Sequence, residues 1–143
     1  MKNNINEAYC SFEVSKLLKE KGLEPHKLFG YVTKFYEPNT QSIRAYGFHG
    51  RTPIQKLIYR PSHAFAVEWL RVNFEVWISI SEVRDYDEFK NNYLMLQGYS
   101  PWIYINKEKR AIQIETPKCC KQIFNTPQEA TEAALLYVLN NLI

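Results

Sequence analysis

The spacing of apolar residues alternates along the chain between the period of a helix and that of a strand. In residues 11–22, Ser-Phe-Glu-Val-Ser-Lys-Leu-Leu-Lys-Glu-Lys-Gly, the side chains Val14, Leu17 and Leu18 fall on one face of a helical wheel. Ser11 stands where an N-cap is needed, Glu13 occupies the positive first turn, and Lys19 and Lys21 occupy the negative last turn. Gly22 then reads as the left-handed residue that ends the helix, which makes Leu23 the next position and predicts its contact with Leu18. A second helix is predicted after Arg60-Pro61, with Ser62 as N-cap, Phe65, Ala66, Trp69, Leu70 and Val72 at helical spacing, and Glu68 and Arg71 on the wet side. The third has the strongest ends. Thr126-Pro127-Gln128-Glu129 supplies an N-cap, a proline at the first helical position and both partners of a capping box. Beyond Glu132 this helix carries no charge, which predicts burial all round.

Elsewhere the period is two. Phe74, Val76, Ile78 and Ile80 alternate with Glu75, Trp77, Ser79 and Ser81, the pattern of a half-buried strand. Residues 102–105 and 110–114 predict a hairpin around Asn106-Lys107-Glu108-Lys109, with Ile105 paired to Arg110 and Ile103 to Ile112. That register puts Ile103, Ile105, Ile112 and Ile114 on one face and Trp102 and Tyr104 on the other. Leu28 to Tyr36 and Ile54 to Tyr59 read as further strands and residues 38–53 as a loop, while residues 82–100 fit either a short helix or a strand. The order α-β-β-α-β-(β or α)-β-β-α predicts one α+β domain over residues 1–143, with residues 1–10 as a disordered or extended arm. It holds a mostly antiparallel sheet of about four to six strands, with about three helices packed mainly on one face.

Three segments carry a family resemblance: Ser11 to Gly22, the run Pro-Ser-His-Ala-Phe-Ala-Val-Glu-Trp-Leu-Arg at 61–71 leading into Phe74 to Ile80, and Thr126 to Ile143. Together they resemble a group of short bacterial proteins of unassigned function, often associated with phages or other mobile elements. The resemblance covers roughly a third of the chain, and its matching positions are caps, core residues and helix stops. It implies a fold and a genomic setting and brings no catalytic or binding residue with it. The departures fall at 37–60 and 82–100.

Composition narrows the classes. The chain has 143 residues with 8 Phe, 3 Trp and 10 Tyr against 5 Gly and 7 Pro, which excludes disorder and low-complexity architecture. A net charge of +3 is too mild to mark a dedicated nucleic-acid protein. The opening Met-Lys-Asn-Asn-Ile-Asn lacks the apolar run of a signal peptide, and no stretch is long enough for a membrane span. Cys10, Cys119 and Cys120 read as three thiols of a reducing cytoplasm.

The candidate chemistry is sparse. His26, His49 and His63 are isolated, and no cysteine or histidine spacing predicts a zinc site, so neither a metal nor a cofactor is expected. Cys119 or Cys120 beside His49 or His63 in space, or an unrecognised carboxylate site, is what remains for a small enzyme. Glu82, Asp85, Asp87 and Glu88 form an acidic run without the pattern of a calcium loop and read as a solvated turn. Gly47 and Gly50 do not form a phosphate loop. From 38 to 60 there is no acidic residue, and Arg44, Arg51, Lys56 and Arg60 are interleaved with Tyr46, Phe48 and Tyr59. Cations for phosphates and rings for bases are what single-stranded nucleic acid requires. A second group, Trp77, Trp102 and Tyr104 with Leu136 and Leu139 of the uncharged helix, predicts a surface for a protein partner or a homodimer. Phe65, Trp69, Phe74 and Tyr137 are assigned to core faces. The leading expectation is a small non-enzymatic intracellular binding or interaction protein, with nucleic-acid binding through residues 44–60 as the alternative.

Overall fold

The computed structural model describes residues 8–24, 34–45, 56–87, 92–113 and 123–143. They form, in order, α1 (Phe12–Glu20), β1 (Lys34–Tyr36), β2 (Ile43–Ala45), β3 (Ile58–Tyr59), α2 (His63–Phe74), β4 (Val76–Asp87), β5 (Asn92–Ile105), β6 (Arg110–Gln113) and α3 (Pro127–Asn141). The fold is α+β with antiparallel strand pairing, and the strands divide into two three-stranded sheets, β2-β1-β3 and β4-β5-β6. The chain separates into two compact units, Met1–Ala66 and Val67–Ile143.

In the first unit α1 begins and ends on the residues its sequence signals. Ser11 Oγ accepts from the Val14 amide at 3.2 Å. At the other end Gly22 has φ +99°, the Leu23 amide donates to the Leu18 carbonyl at 2.9 Å and the Gly22 amide to Lys19 at 3.0 Å. Those two bonds are the Schellman pair, and they need a residue that adopts positive φ without penalty. Leu18 and Leu23 are both buried, along with Val14, Cys10, Phe35, Tyr36 and Ile58. β3 lies against α1, and Lys19 Nζ donates to the Leu57 carbonyl at 2.9 Å beside it. Residues 8–10 of the N-terminal arm are held in place: Tyr9 bridges Ser62, and the Cys10 amide donates to the Pro61 carbonyl at 2.9 Å. Sequence reasoning placed 38–53 in a loop, whereas β2 occupies Ile43–Ala45 there. Three residues are too few for alternation to register.

The second unit is built on a long hairpin. Residues 82–100, open between helix and strand in the sequence, belong to β4 and β5 wherever they are described, and the ladder runs from Val76↔Ile105 to Asp87↔Asn92 with register shifts between Val83 and Tyr86. Glu82, Asp85 and Asp87 of the acidic run therefore lie along the far end of β4 rather than in a turn, with Glu82 exposed and ion-paired with Arg84 at 2.8 Å, and Glu88 lies outside the described residues. The β5–β6 hairpin has the expected register, Ile105↔Arg110 and Ile103↔Ile112. α3 packs across β5 and β4. Its buried side chains, Ala130, Ala134, Leu135, Val138 and Leu139, make one stripe, and Leu136 and Tyr137 remain half-exposed. The absence of charge beyond Glu132 is thus not burial all round, because uncharged polar groups line the outer side there: Asn140 and Asn141 are exposed, and Asn141 Nδ2 donates to the Tyr137 carbonyl of its own helix.

One core assignment is corrected. The buried line of α2 is Ala66 and Leu70, four residues apart, while Phe65 is 41% and Val72 63% exposed. Phe65 instead packs its ring edge-on against Tyr59, at 6.0 Å between centroids. A single i, i+4 line buries a narrower stripe than five apolar residues would fill.

Candidate functional site

The sheet β4-β5-β6 has two faces of different character. One carries Val76, Ile78, Ile103, Ile105 and Ile112. Val76, Ile103 and Ile105 are buried and Ile112 half-buried, as the face toward α3 requires. The residues between them point the other way. There Trp77 stands directly opposite Tyr104, Ser79 opposite Trp102, and Ser81 opposite Ser100. Trp77 is 49%, Trp102 38% and Tyr104 39% exposed. Residues opposite one another in a ladder share a face, so the three rings form one surface, Trp77 and Tyr104 as a cross-strand pair and Trp102 on their diagonal.

This surface is ordered by its own polar groups. The Trp102 indole Nε1 donates to Ser81 Oγ at 3.1 Å, and Ser81 Oγ donates to the Ser100 carbonyl at 3.3 Å. The indole's polar edge is thereby satisfied within the sheet, leaving its flat face for contact. Beside Trp77 the Arg71 guanidinium lies 5.0 Å from the ring centroid, a cation–π distance. Glu68 accepts from Arg71 Nε at 2.7 Å and also pairs with its terminal nitrogen. The hydrogen bond from Arg71 holds the Glu68 carboxyl below its ordinary pKa and raises that of Arg71. The cations of this unit whose pairing is described are thus neutralised nearby: Arg71 by Glu68, Arg84 by Glu82 and Arg110 by Glu108 at 2.7 Å. Leu136 is half-exposed, but Leu139 is 1% exposed and belongs to the core stripe of α3, so it offers nothing to a partner.

The basic segment 44–60 fares differently. Tyr46, Phe48 and Arg51 lie outside the described residues. Arg44 is on β2 and pairs with Glu37 at 3.2 Å, Lys56 is exposed, and Arg60 is taken up by tyrosines of its own unit. Arg60 Nε donates to Tyr36 Oη at 2.9 Å, and its Cζ lies 4.8 Å from the Tyr9 centroid, over which Lys34 Nζ also sits at 4.6 Å. Tyr9 and Lys34 escaped sequence reasoning because they stand far along the chain from Arg60 and neither belongs to a basic run.

Cys119, Cys120, His26 and His49 also lie outside the described residues. A different pair does come together: Cys10 Sγ and a ring nitrogen of His63 are within 4.8 Å of one another. Cys10 is fully buried and its thiol donates to the Ser62 carbonyl at 4.0 Å, so it presents no nucleophile to a substrate. Long-range pairing of residues 8–10 with Pro61, Ser62 and His63 makes these neighbours, and no local motif announces it. Among the described residues no helix is long and apolar enough to cross a membrane. Comparison of the chain with family models, with curated proteins and with solved structures gives no match.

Proposed function

We propose that the chain is a non-enzymatic interaction protein that binds a protein partner through the open face of the β4-β5-β6 sheet. The observation that supports this reading is the in-register exposure of Trp77, Trp102 and Tyr104 on the face away from α3, with Arg71 beside Trp77. Tryptophan, tyrosine and arginine are the residues in which binding energy concentrates at protein interfaces. With each ring burying on the order of 200 Å² when fully covered, the exposed part of the three sums to roughly 250 Å². That is the anchor of a standard interface of about 800 Å² per partner.

Charge favours a protein over a nucleic acid here. Phosphate binding draws on cations without carboxylate partners, whereas Arg71, Arg84 and Arg110 are each paired within the unit. The mobile-element setting implied by the sequence resemblance belongs to the same proposal.

The test compares the wild-type chain with a Trp77→Ser/Trp102→Ser variant in affinity capture, identifies what the wild type retains, and titrates that purified protein by calorimetry. A second copy of this chain is scored the same way, by light scattering over a concentration series. Loss of two central anchors should weaken binding at least about 30-fold, equivalent to 2 kcal/mol. Equal binding by the two proteins would remove the aromatic face from the interface. Salt-dependent binding of single-stranded oligonucleotides that vanished in the variant would transfer the face to nucleic acid.

A further inference from the structure

In the first unit, two cations converge on one ring. Lys34 Nζ lies 4.6 Å and Arg60 Cζ 4.8 Å from the Tyr9 centroid. Arg60 is gripped at one corner: its Cζ is 5.5 Å from the Tyr36 centroid, its Nε donates to Tyr36 Oη, and Tyr36 Oη donates to the Cys10 carbonyl at 2.8 Å. Its backbone is fixed as well, since the Arg60 amide donates to the Lys34 carbonyl at 2.9 Å. Among the described residues nothing accepts a hydrogen bond from its two terminal amino groups, and no carboxylate pairs with Arg60 or Lys34.

That combination is unusual for a structural arginine. Two like charges on one aromatic ring repel each other, and an anion that reaches both turns the repulsion into attraction. The backbone adds to the same field. The Tyr9–Ser62 bridge sets the starts of α1 and α2 side by side, with Ser11 capping one and Ser62 Oγ accepting from the Phe65 amide of the other at 3.3 Å. The positive ends of α1 and α2 therefore begin just after Tyr9 and Arg60 along the chain. Glu13, the acidic residue in the first turn of α1, is exposed and pairs with neither.

We infer that Arg60 and Lys34, seated on Tyr9, form a binding site for a phosphate group, either inorganic phosphate or the headgroup of a small phosphomonoester. The terminal edge of the Arg60 guanidinium supplies two parallel donors that match two phosphate oxygens, and Lys34 supplies the second charge. Because Tyr36 already holds the guanidinium, little side-chain freedom remains to be lost on binding. The residues of the site belong to the first unit, and none of them is part of the aromatic face.

The experiment is a titration of the full ¹⁵N-labelled chain with inorganic phosphate, and separately with glycerol 3-phosphate, at constant ionic strength balanced by sodium chloride. The amide resonances of Tyr9, Cys10, Ser62 and His63 should shift saturably, and the tighter ligand of the two identifies the source of the phosphate. Lys34→Gln and Arg60→Gln should each weaken binding about tenfold or more, the worth of one charge-assisted hydrogen bond. Lys34→Arg should retain it. Lys34→Gln tests the site without disturbing the Arg60–Tyr36 contact, so a folding defect in Arg60→Gln leaves the result readable. Shifts that chloride reproduces, that fail to saturate, or that persist undiminished in Lys34→Gln would overturn the assignment. So would binding of a single-stranded oligonucleotide at these residues with no response to phosphate.

Discussion

Gly98 carries the seating of the last helix, and replacing it with alanine should be costly for reasons visible in the backbone. It lies in β5 opposite Val83 with φ +156°. A Cβ there would fall against Ile123 Cγ2 and 2.5 Å from the Phe124 carbonyl oxygen. Ile123 is exposed and its side chain can swing aside. The Phe124 carbonyl cannot, because it accepts from the Tyr99 amide at 2.9 Å while the Phe124 amide donates back to Tyr99 at 2.8 Å. To admit the methyl group the chain must open that bridge, two residues before Thr126 caps α3. Two backbone hydrogen bonds at about 1 kcal/mol each, with about 1 kcal/mol or more of overpacking, put the cost of Gly98→Ala at roughly 2–4 kcal/mol. Urea unfolding followed by tryptophan fluorescence measures the loss, and amide exchange at Tyr99 and Phe124 locates it. A change below about 0.5 kcal/mol with both amides still protected would show that the bridge does not constrain Gly98, and the reasoning would fall.

Ser15 is buried in α1 and its Oγ has no hydrogen-bond partner among the described residues, so Ser15→Ala should stabilise the chain by about 1 kcal/mol in the same urea assay; an equal loss would mean that the hydroxyl has a partner in solution. Thr126 Oγ1 accepts from the Glu129 amide at 3.1 Å, and Thr126→Ala should cost about 1 kcal/mol, read by the same unfolding curves. Glu68 should titrate below an ordinary glutamate in carboxyl NMR and return toward it in Arg71→Gln. Since its folded pKa is the lower one, the small contribution of this pair is present above the ordinary glutamate pKa and fades as pH falls through the folded value.

The features legible in the sequence are those decided within about ten residues. The Ser11 and Thr126 caps, the Gly22 ending and the Ile105–Arg110 register each depend on a few neighbours, and the structure has them all. Glu129 shows the limit of that reach: its carboxylate accepts from the Asn125 amide at 3.2 Å, one residue before the cap that the capping box would serve. What escaped depends on distant pairing. Nothing near Arg60 announces Tyr9 or Tyr36, and Arg44, though close in sequence to Phe35 and Glu37, meets them only because β1 and β2 pair. The basic run reads as a ligand site in its own right, and the structure adds partners outside it for Arg44 and Arg60, while Tyr46, Phe48 and Arg51 lie outside the described residues.

The aromatic face was legible for the opposite reason. A period of two states which residues share a face, and Trp77, Trp102 and Tyr104 fall together once the hairpin register is known. What the sequence could not state is which face α3 covers. With one helix across this three-stranded sheet, Trp77, Ser79, Trp102 and Tyr104 of its second face stay exposed while Ser100 there is buried, and folding alone would be served by threonine or serine at the exposed positions, as at Ser79. The indole of Trp102 is held flat by Ser81, and Trp77 is flanked by the Arg71 guanidinium, so both rings are set in place before anything binds. Large rings fixed in the open gain little from burial within this chain, and their stabilising surface is realised only when a second surface closes over them.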